Sequence, residues 1–374
     1  METKDLELEK ILNKYRYAGI SIIHTTKDRI DYMVNYGKKD LELEDAISSD
    51  TIYRIASVSK VIVAIGVMTL VEKGILDIYQ DISKYLGYEV RNPKHPDKKI
   101  TLEQIMTQTS SITDGFDDPD YGYDAVNVTS IDVPLKELLT NPNYKYYNPR
   151  TYLDAAPGEE WRYSNFGCGI LACIIESVTG KYFTDYIKEV LLDPLEIDGG
   201  FRIEQVVKKE NVASLYCYEN EEFRLSRNLK QFERIMFPKY ELGNNFRGPA
   251  GGLFISPKDL SKIMLMLMNK GTYNGKQILK EETVKDMESV HWSGYSYDPE
   301  YKAKGLQLNL MSNYSKQTLK GHFGNAYGLR SYMLYNNDNG YIFMCSGGNY
   351  VLDQDHMVPL QKEVLFYLIN KFEG

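Results

Sequence analysis

The chain has 374 residues, 43% of them hydrophobic and 26% charged, an ordinary balance for a globular protein with a sizeable core. A net charge of -8, with no run of five or more lysines and arginines, excludes nucleic acid as an expected partner, because phosphate neutralisation needs a basic surface. The four cysteines (Cys168, Cys173, Cys217, Cys345) have neither CxxC spacing nor a disulfide framework and are expected to be reduced core residues.

The polar start, Met1 to Asp5, leads into an amphipathic helix carrying Leu6, Leu8, Ile11 and Leu12. A secretory signal needs a basic start and an apolar stretch, and neither is visible, so a cytoplasmic location is expected. Alternation predicts strands over Gly19–Thr25 and Arg29–Tyr36, with Thr26-Lys27-Asp28 as the reversal. An extended stretch, Thr51 to Ile55, then hands over to an apolar helix from Val61 to Val71 that stops by Gly74. The apolar stretch between Lys60 and Glu72, eleven residues long, is too short to cross a bilayer and suits a buried helix, so no membrane partner is expected.

Ser57-Val58-Ser59-Lys60 lies at that handover. Residues three apart on a helix share a face, so the hydroxyl of Ser57 and the amine of Lys60 are expected to point at one spot. A serine at a helix N-terminus also has free backbone N–H groups around it, able to hold a developing oxyanion. Taken alone, the same tetrapeptide also fits an N-capping serine followed by a solvated lysine.

The middle of the chain reads mainly as helices and loops. Thr101 caps a helix start, and Ser256 with Pro257 opens a helix that runs to about Asn269. The acidic, tyrosine-rich segment from Ile112 to Pro157 is a candidate flap over a site. Its Asp117-Asp118-Pro119-Asp120 lacks the spacing of a calcium loop, and the histidines (His24, His95, His291, His322, His356) form no HExxH-like pair, so no metal or cofactor is expected.

Tyr163-Ser164-Asn165 stands just before an apolar helix, Gly167 to Thr179, ended by Gly180. A phenol beside a serine–lysine pair can relay or accept the nucleophile's proton, and an amide can hold a substrate carbonyl or the lysine. Strands follow over Leu306–Met311, Gln317–His322, Ser331–Tyr335 and Tyr341–Ser346, with Asn337 to Gly340 as a hairpin turn, and a helix from Val358 to Phe372 closes the chain. His322-Phe323-Gly324 falls in this strand cluster. The glycine would let substrate backbone approach an edge strand, and the N–H of Asn325 would complete the anion hole.

The predicted fold is α+β: an antiparallel sheet from both chain ends flanked by helices, with a mostly helical insertion. Residues 1–80 and 290–374 form the sheet part and residues 81–289 the helical part of one structural domain.

In this order, Ser57–Lys60, Tyr163–Asn165 and His322–Gly324 resemble the three motifs of the serine β-lactamase and penicillin-binding protein superfamily. They look most like its class C β-lactamase branch, which also holds esterases, D-aminopeptidases and DD-peptidases. Related enzymes carry Ser-x-x-Lys, Ser-Asp-Asn and Lys-Thr-Gly; here Tyr163 replaces the second motif's serine and His322 the third motif's lysine. The resemblance extends to Asp50 through Ser57, Pro157-Gly158-Glu159, Val178-Thr179-Gly180, Pro194-Leu195, Ala250 through Leu253, and Ser256 with Asp259-Leu260. Gln108 stands where the family usually has histidine and Ser111 where it usually has glycine; both read as drift away from the motifs.

The resemblance implies acyl transfer through an ester of Ser57, with Lys60 and Tyr163 as a coupled acid–base pair. Free lysine and tyrosine titrate near about 10, so the site has to shift one of them, and which takes the proton stays open. Asn165, His322, Gly324 and Asn325 are the implied substrate-binding residues. The implied substrate is a small ester, amide or D-amino-acid peptide, with β-lactams as further candidate ligands. A penicillin-binding DD-carboxypeptidase, a β-lactamase, and a sensing domain that acylates without turnover are the alternatives. The oligomeric state is left open.

Overall fold

A computed structural model describes residues 5–116, 120–127, 129–234, 239–295, 302–348 and 357–374. The acidic run at Asp117, Asp118 and Pro119, and His356, lie outside the described residues.

Fifteen strands are described. β1 (Gly19–Thr26), β2 (Ile30–Asp40), β3 (Asp45–Ala46) and β4 (Tyr53–Arg54) come early. β5 (Leu215–Glu219), β6 (Glu222–Arg227), β7 (Phe254–Ile255), β8 (Thr272–Tyr273) and β9 (Lys276–Gln277) lie in the middle. β10 (Trp292–Ser293), β11 (Ala303–Lys304), β12 (Asn309–Met311), β13 (Leu319–Ala326), β14 (Leu329–Tyr335) and β15 (Asn339–Ser346) come last. The helices are α1 (Leu6–Leu12), α2 (Ser59–Glu72), α3 (Ser83–Leu86), α4 (Leu102–Met106), α5 (Gly122–Asn127) and α6 (Leu135–Thr140). After these come α7 (Asn165–Thr179), α8 (Phe183–Ile187), α9 (Leu229–Arg234), α10 (Pro257–Met268), α11 (Glu281–Glu288) and α12 (Pro359–Glu373).

Nine strands form one antiparallel sheet in the order β10-β11-β12-β13-β14-β15-β1-β2-β3. The two chain ends meet at its centre, where β1 pairs with β15 from Gly19↔Ser346 to Thr26↔Asn339. The period of two along a strand sends alternate side chains to opposite faces. Ile20 and Ile22 of β1, Tyr332 and Leu334 of β14, and Phe343 and Cys345 of β15 join Leu8 and Leu12 of α1 and Val364 and Leu368 of α12. Their neighbours Ile23, Met333, Ile342 and Met344 face the other way, into the larger core with α2, α7 and α10. Burying each such side chain fully contributes about 1.5–3 kcal/mol, so the alternation fixes the register as well as the layers.

α2 is buried on every face from Ser59 to Leu70, which explains a helix that is apolar all round. Among the described residues no single helix is long and apolar enough to cross a membrane. α4 starts with a capping box between Thr101 and Gln104, and Ser256 caps α10 ahead of Pro257. None of the four cysteines is disulfide-bonded, and Cys168, Cys173 and Cys345 are buried.

The α+β architecture expected from the sequence is the one observed, with local differences. The strand expected from Leu306 is confined to Asn309–Met311, because Gln307 adopts a left-handed backbone (φ 56) that breaks the extended run. The third motif lies within β13 rather than at its end. The middle section holds a β5–β6 hairpin, turning at Asn220 and Glu221, both with positive φ. That turn lacks the Asn-Gly pair that makes such hairpins visible in a sequence. In its described part the segment from Ile112 to Pro157, the candidate flap, is anchored in the core by Ile112, Val126, Leu135, Leu138 and Tyr152.

Candidate active site

The backbone around Ser57 is strained. β4 pairs with β7, and Ile55 N donates to Leu253 O (2.9 Å), so the chain arrives extended and pinned. Ala56 then takes a left-handed backbone (φ 53) while fully buried, and Ala56–Val58 make a single 3-10 turn before α2 begins at Ser59. A non-glycine residue held there costs of order 1–2 kcal/mol, a strain that clusters at functional sites. Its effect is a sharp turn that lifts Ser57 onto the wall of a cavity of about 710 Å³.

Lys60 is fully buried, one turn further on. Its Nζ lies 3.0 Å from Ser57 Oγ, 2.8 Å from Asn165 Oδ1 and 2.9 Å from Ala250 O. A backbone carbonyl only accepts, so one N–H is fixed on Ala250. Asn165 is oriented by its other end: Nδ2 donates to Asp114 Oδ2 (2.8 Å), which turns the amide oxygen towards Lys60. Two N–H groups are therefore committed, and the third position on Nζ, a proton in the ammonium or a lone pair in the amine, points at Ser57 Oγ. Tyr163 Oη lies 2.7 Å from the same oxygen, and Lys60 Nζ stands 4.7 Å from the Tyr163 ring centre. Ser57, Lys60, Tyr163 and Asn165 are thus brought together at hydrogen-bonding distance.

No spacing in the sequence points to Asp114. It accepts from Ser164 Oγ (3.0 Å), Asn165 N (3.0 Å), Asn165 Nδ2 (2.8 Å) and Phe166 N (2.8 Å). A carboxylate on the first N–H groups of α7 satisfies donors that have no acceptor within the helix and meets the positive end of its dipole. Ser164, itself the N-cap of α7, accepts from Gly167 N (2.9 Å). The second motif is therefore a helix start whose first residue, Asn165, reaches Lys60.

Gln108 is not remote from that motif, contrary to the reading of drift. Its carbonyl accepts from Arg162 N (2.9 Å), the residue before Tyr163. Gln108 and Ser111 both have left-handed backbones (φ 62 and 63), and Asn92 Nδ2 donates to Ser111 Oγ (3.2 Å), holding the side chain at a position where glycine would be unstrained.

The third motif approaches from β13. β12 pairs with β13 only from Leu319 to Gly321, so from His322 onward that side of β13 has no strand partner among the described residues and faces the Ala56–Val58 turn. A Cβ on Gly324 would lie 2.2 Å from Ser331 Oγ and 2.6 Å from Ile55 O. The glycine is thus required by the approach of the chain's own nucleophile turn, not only by a substrate. Phe323, Gly324 and Asn325 line the cavity with Ser57.

His322 differs from its expected place on the substrate side. It is 1% exposed and is not part of the cavity wall; its ring sits 6.2 Å from that of Tyr163. Nδ1 donates to Phe323 O (2.6 Å), which leaves Nε2 without the proton in the neutral ring. Burial, then the Lys304 and Lys60 charges, push its pKa well below the usual histidine value. Below the unfolded pKa of about 6.5 the unfolded chain takes up a proton that the folded one refuses, so stability is full above that pH and falls as pH drops below it. Replacing His322 with glutamine is expected to remove a slope of up to about 1.4 kcal/mol per pH unit between pH 6.5 and 5, measured as denaturant midpoints across that range. An unchanged slope would contradict the neutral, buried ring.

Among the described residues no group of three His, Cys, Asp or Glu side chains is gathered to hold a metal ion.

The chain is similar to protein flp of Staphylococcus aureus (strain N315), 27% identical over 52% of this chain and 36% of that protein. The chain spans about a third of the length of the curated relatives it matches. Among solved structures, it superimposes on the octameric penicillin-binding protein homologue from Pyrococcus abyssi with a TM-score of 0.75, at 23% identity over 98% of this chain and 78% of that one. The D-amino acid amidase from Ochrobactrum anthropi SV3, complexed with D-phenylalanine, gives a TM-score of 0.72 at 18% identity over 99% of this chain and 100% of that one. The sheet joining both chain ends is therefore the fold of these proteins. A profile of the beta-lactamase family matches residues 5–372, and over that span the chain belongs to this family, within the serine β-lactamase and penicillin-binding protein superfamily.

Proposed function

We propose that this protein is a serine hydrolase that works through an acyl-enzyme on a small ester, amide or D-amino-acid peptide. The observation that carries the reading is the Ser57 hydroxyl on a cavity wall, 3.0 Å from Lys60 Nζ and 2.7 Å from Tyr163 Oη. Membership of the beta-lactamase family and the likeness to an amidase fold support it.

In the proposed cycle Ser57 Oγ attacks the substrate carbonyl carbon while its proton passes to the Lys60–Tyr163 pair. The oxyanion is held by the N–H groups of Ser57 and Asn325, two residues that line one cavity from different elements; one such donor is worth about 2.7–4 kcal/mol. The 3-10 turn leaves the Ser57 N–H without an acceptor inside it. As the tetrahedral centre collapses, the C–O or C–N bond breaks and the pair returns the proton to the leaving oxygen or nitrogen. Water then repeats the sequence on the Ser57 ester, yielding acid and free serine. Asn165 keeps Lys60 aimed throughout and borders the acyl site. His322 acts behind Tyr163 as a neutral neighbour.

Two measurements on one preparation test this. A fluorophosphonate probe is expected to add its mass to the peptide containing Ser57; an adduct on another serine would count against the assignment. With a p-nitrophenyl ester, release of nitrophenol is expected to continue past one equivalent. One equivalent followed by silence would instead identify a domain that acylates without turnover.

A further inference from the structure

The protein carries a net charge of -8, yet its cavity wall is cationic. Among the described residues Arg54, Arg202, Arg227, Lys239, Arg247 and Arg330 line it against a single carboxylate, Glu176. That carboxylate is committed to Phe183 N (3.0 Å), Gly243 N (2.8 Å) and Asn245 Nδ2 (2.9 Å). Lys239 is paired with Asp185 and Arg202 with Glu204. Arg54 and Arg227 have no carboxylate within ion-pair distance among the described residues.

These two arginines converge from distant parts of the chain. Arg54 ends β4, three residues before Ser57; Arg227 ends β6. Their guanidinium carbons sit 4.6 Å and 4.9 Å from the centre of the Tyr327 ring. Two like charges gathered on one ring repel each other, and an anion bound beside them would relieve that. The ring is held there at a cost. Tyr327 and Gly328 make the β13–β14 turn with φ 55 and 89, and a bulky side chain is strained at the first of these. A Cβ on Gly328 would lie 2.0 Å from Tyr216 O, so the turn is seated against β5 of the hairpin that carries Arg227. The Arg54 charge, followed by that of Arg227, lowers the Tyr327 pKa against the effect of burial.

We infer that Arg54, Arg227 and Tyr327 form a subsite for a carboxylate on the acyl part of the substrate. The inference rests on the hydrolase reading and adds the substrate's charge. Position along β13 sets the acyl side: His322 neighbours Tyr163, whose pair returns the proton to the leaving group, whereas Tyr327 lies past Asn325 at the far end of the strand. A chain leaving the carbonyl away from the proton donor is the acyl chain. Arg54 and Arg227 are both half-buried, which leaves each guanidinium partly shielded from water and strengthens its pull on an anion.

The test compares mono-p-nitrophenyl glutarate with p-nitrophenyl pentanoate, which lacks the terminal carboxylate, and reads the ratio of their kcat/KM values. The wild type is expected to favour the glutarate ester at least about tenfold, a margin typical of a charge-assisted contact. In Arg227→Gln the ratio is expected to fall about tenfold through KM, and in Arg227→Lys to recover in part. Raising salt from 0.05 to 0.5 M is expected to lower the wild-type ratio with no substitution at all. A wild-type ratio near one, or one unmoved by Arg227→Gln, would overturn the subsite. The matching pair of p-nitroanilides, titrated calorimetrically into Ser57→Ala protein, reads the subsite without turnover. Tighter binding of the charged anilide, weakened in the double variant with Arg227→Gln, supports the subsite even if neither ester is hydrolysed, an outcome that would defeat the hydrolase reading alone. Equal binding of the two anilides counts against the subsite.

Discussion

Ser57→Ala is expected to reduce turnover of a p-nitrophenyl ester to background, a loss of at least about 10⁴-fold in kcat. The substitution removes the oxygen that forms the acyl bond and leaves its surroundings in place. Lys60 keeps Asn165 Oδ1 and Ala250 O as acceptors, and α2 keeps its buried faces. The fold is therefore expected to survive, with an unfolding free energy within about 1–2 kcal/mol of the wild type, since one hydrogen-bond acceptor is lost from a partly solvated site. Steady-state kinetics with the thermal midpoint as control checks both parts. A folded Ser57→Ala protein that kept even a hundredth of the wild-type rate would show that another group performs the chemistry. Background rate with a native midpoint separates a missing nucleophile from a collapsed site.

The parts of this site visible in the sequence are those that depend on local spacing. Ser57 and Lys60 meet because three residues of helix bring them onto one face, and Tyr163 and Asn165 were marked out by the helix that follows them. What remained hidden comes from groups that no spacing announces. The carbonyl of Ala250 is backbone and carries no side-chain signature. Asp114 looks in sequence like one more acid in an acidic segment; its role appears only when Ile112 bridges to Tyr152 and the chain lies across the start of α7. Gln108 reads as drift because it lies away from the motifs in the chain, but its backbone carbonyl accepts from Arg162 N, next to Tyr163. His322 was recognisable as a motif residue, yet its burial depends on packing between β13 and the neighbouring elements. The sheet was easier to read than the site. Alternating apolar residues in β1, β14 and β15 specify two buried faces, whereas the β5–β6 hairpin, more exposed and turning at Asn220-Glu221, left a weak imprint.

The hidden carboxylate makes the sharpest demand on this account. Asp114→Ala deletes the acceptor of four hydrogen bonds, three of them at the start of α7 and one on the Asn165 amide. Capping and dipole effects at a helix start are each worth about 0.5–2 kcal/mol, and the bonds are not additive, so a destabilisation of about 2–4 kcal/mol is expected. The functional loss has a separate cause. Without Asp114 to hold Nδ2, the Asn165 amide is free to rotate and present N–H groups to Lys60 in place of its oxygen. Lys60 would then lose one of the acceptors that hold it against Ser57. A fall in kcat of about 10–100-fold is expected at a temperature where the variant is fully folded, together with a changed pH–rate profile, because the environment of the proton-accepting pair is altered. Glutamate at 114 keeps the charge but misplaces it by one methylene, and should recover stability more than rate. Circular dichroism melts and pH-dependent kinetics on Asp114→Ala and Asp114→Glu distinguish the two effects. A variant that lost stability while keeping the wild-type kcat and pH profile would make Asp114 a helix cap alone, and the aim of Lys60 would have to come from Ala250.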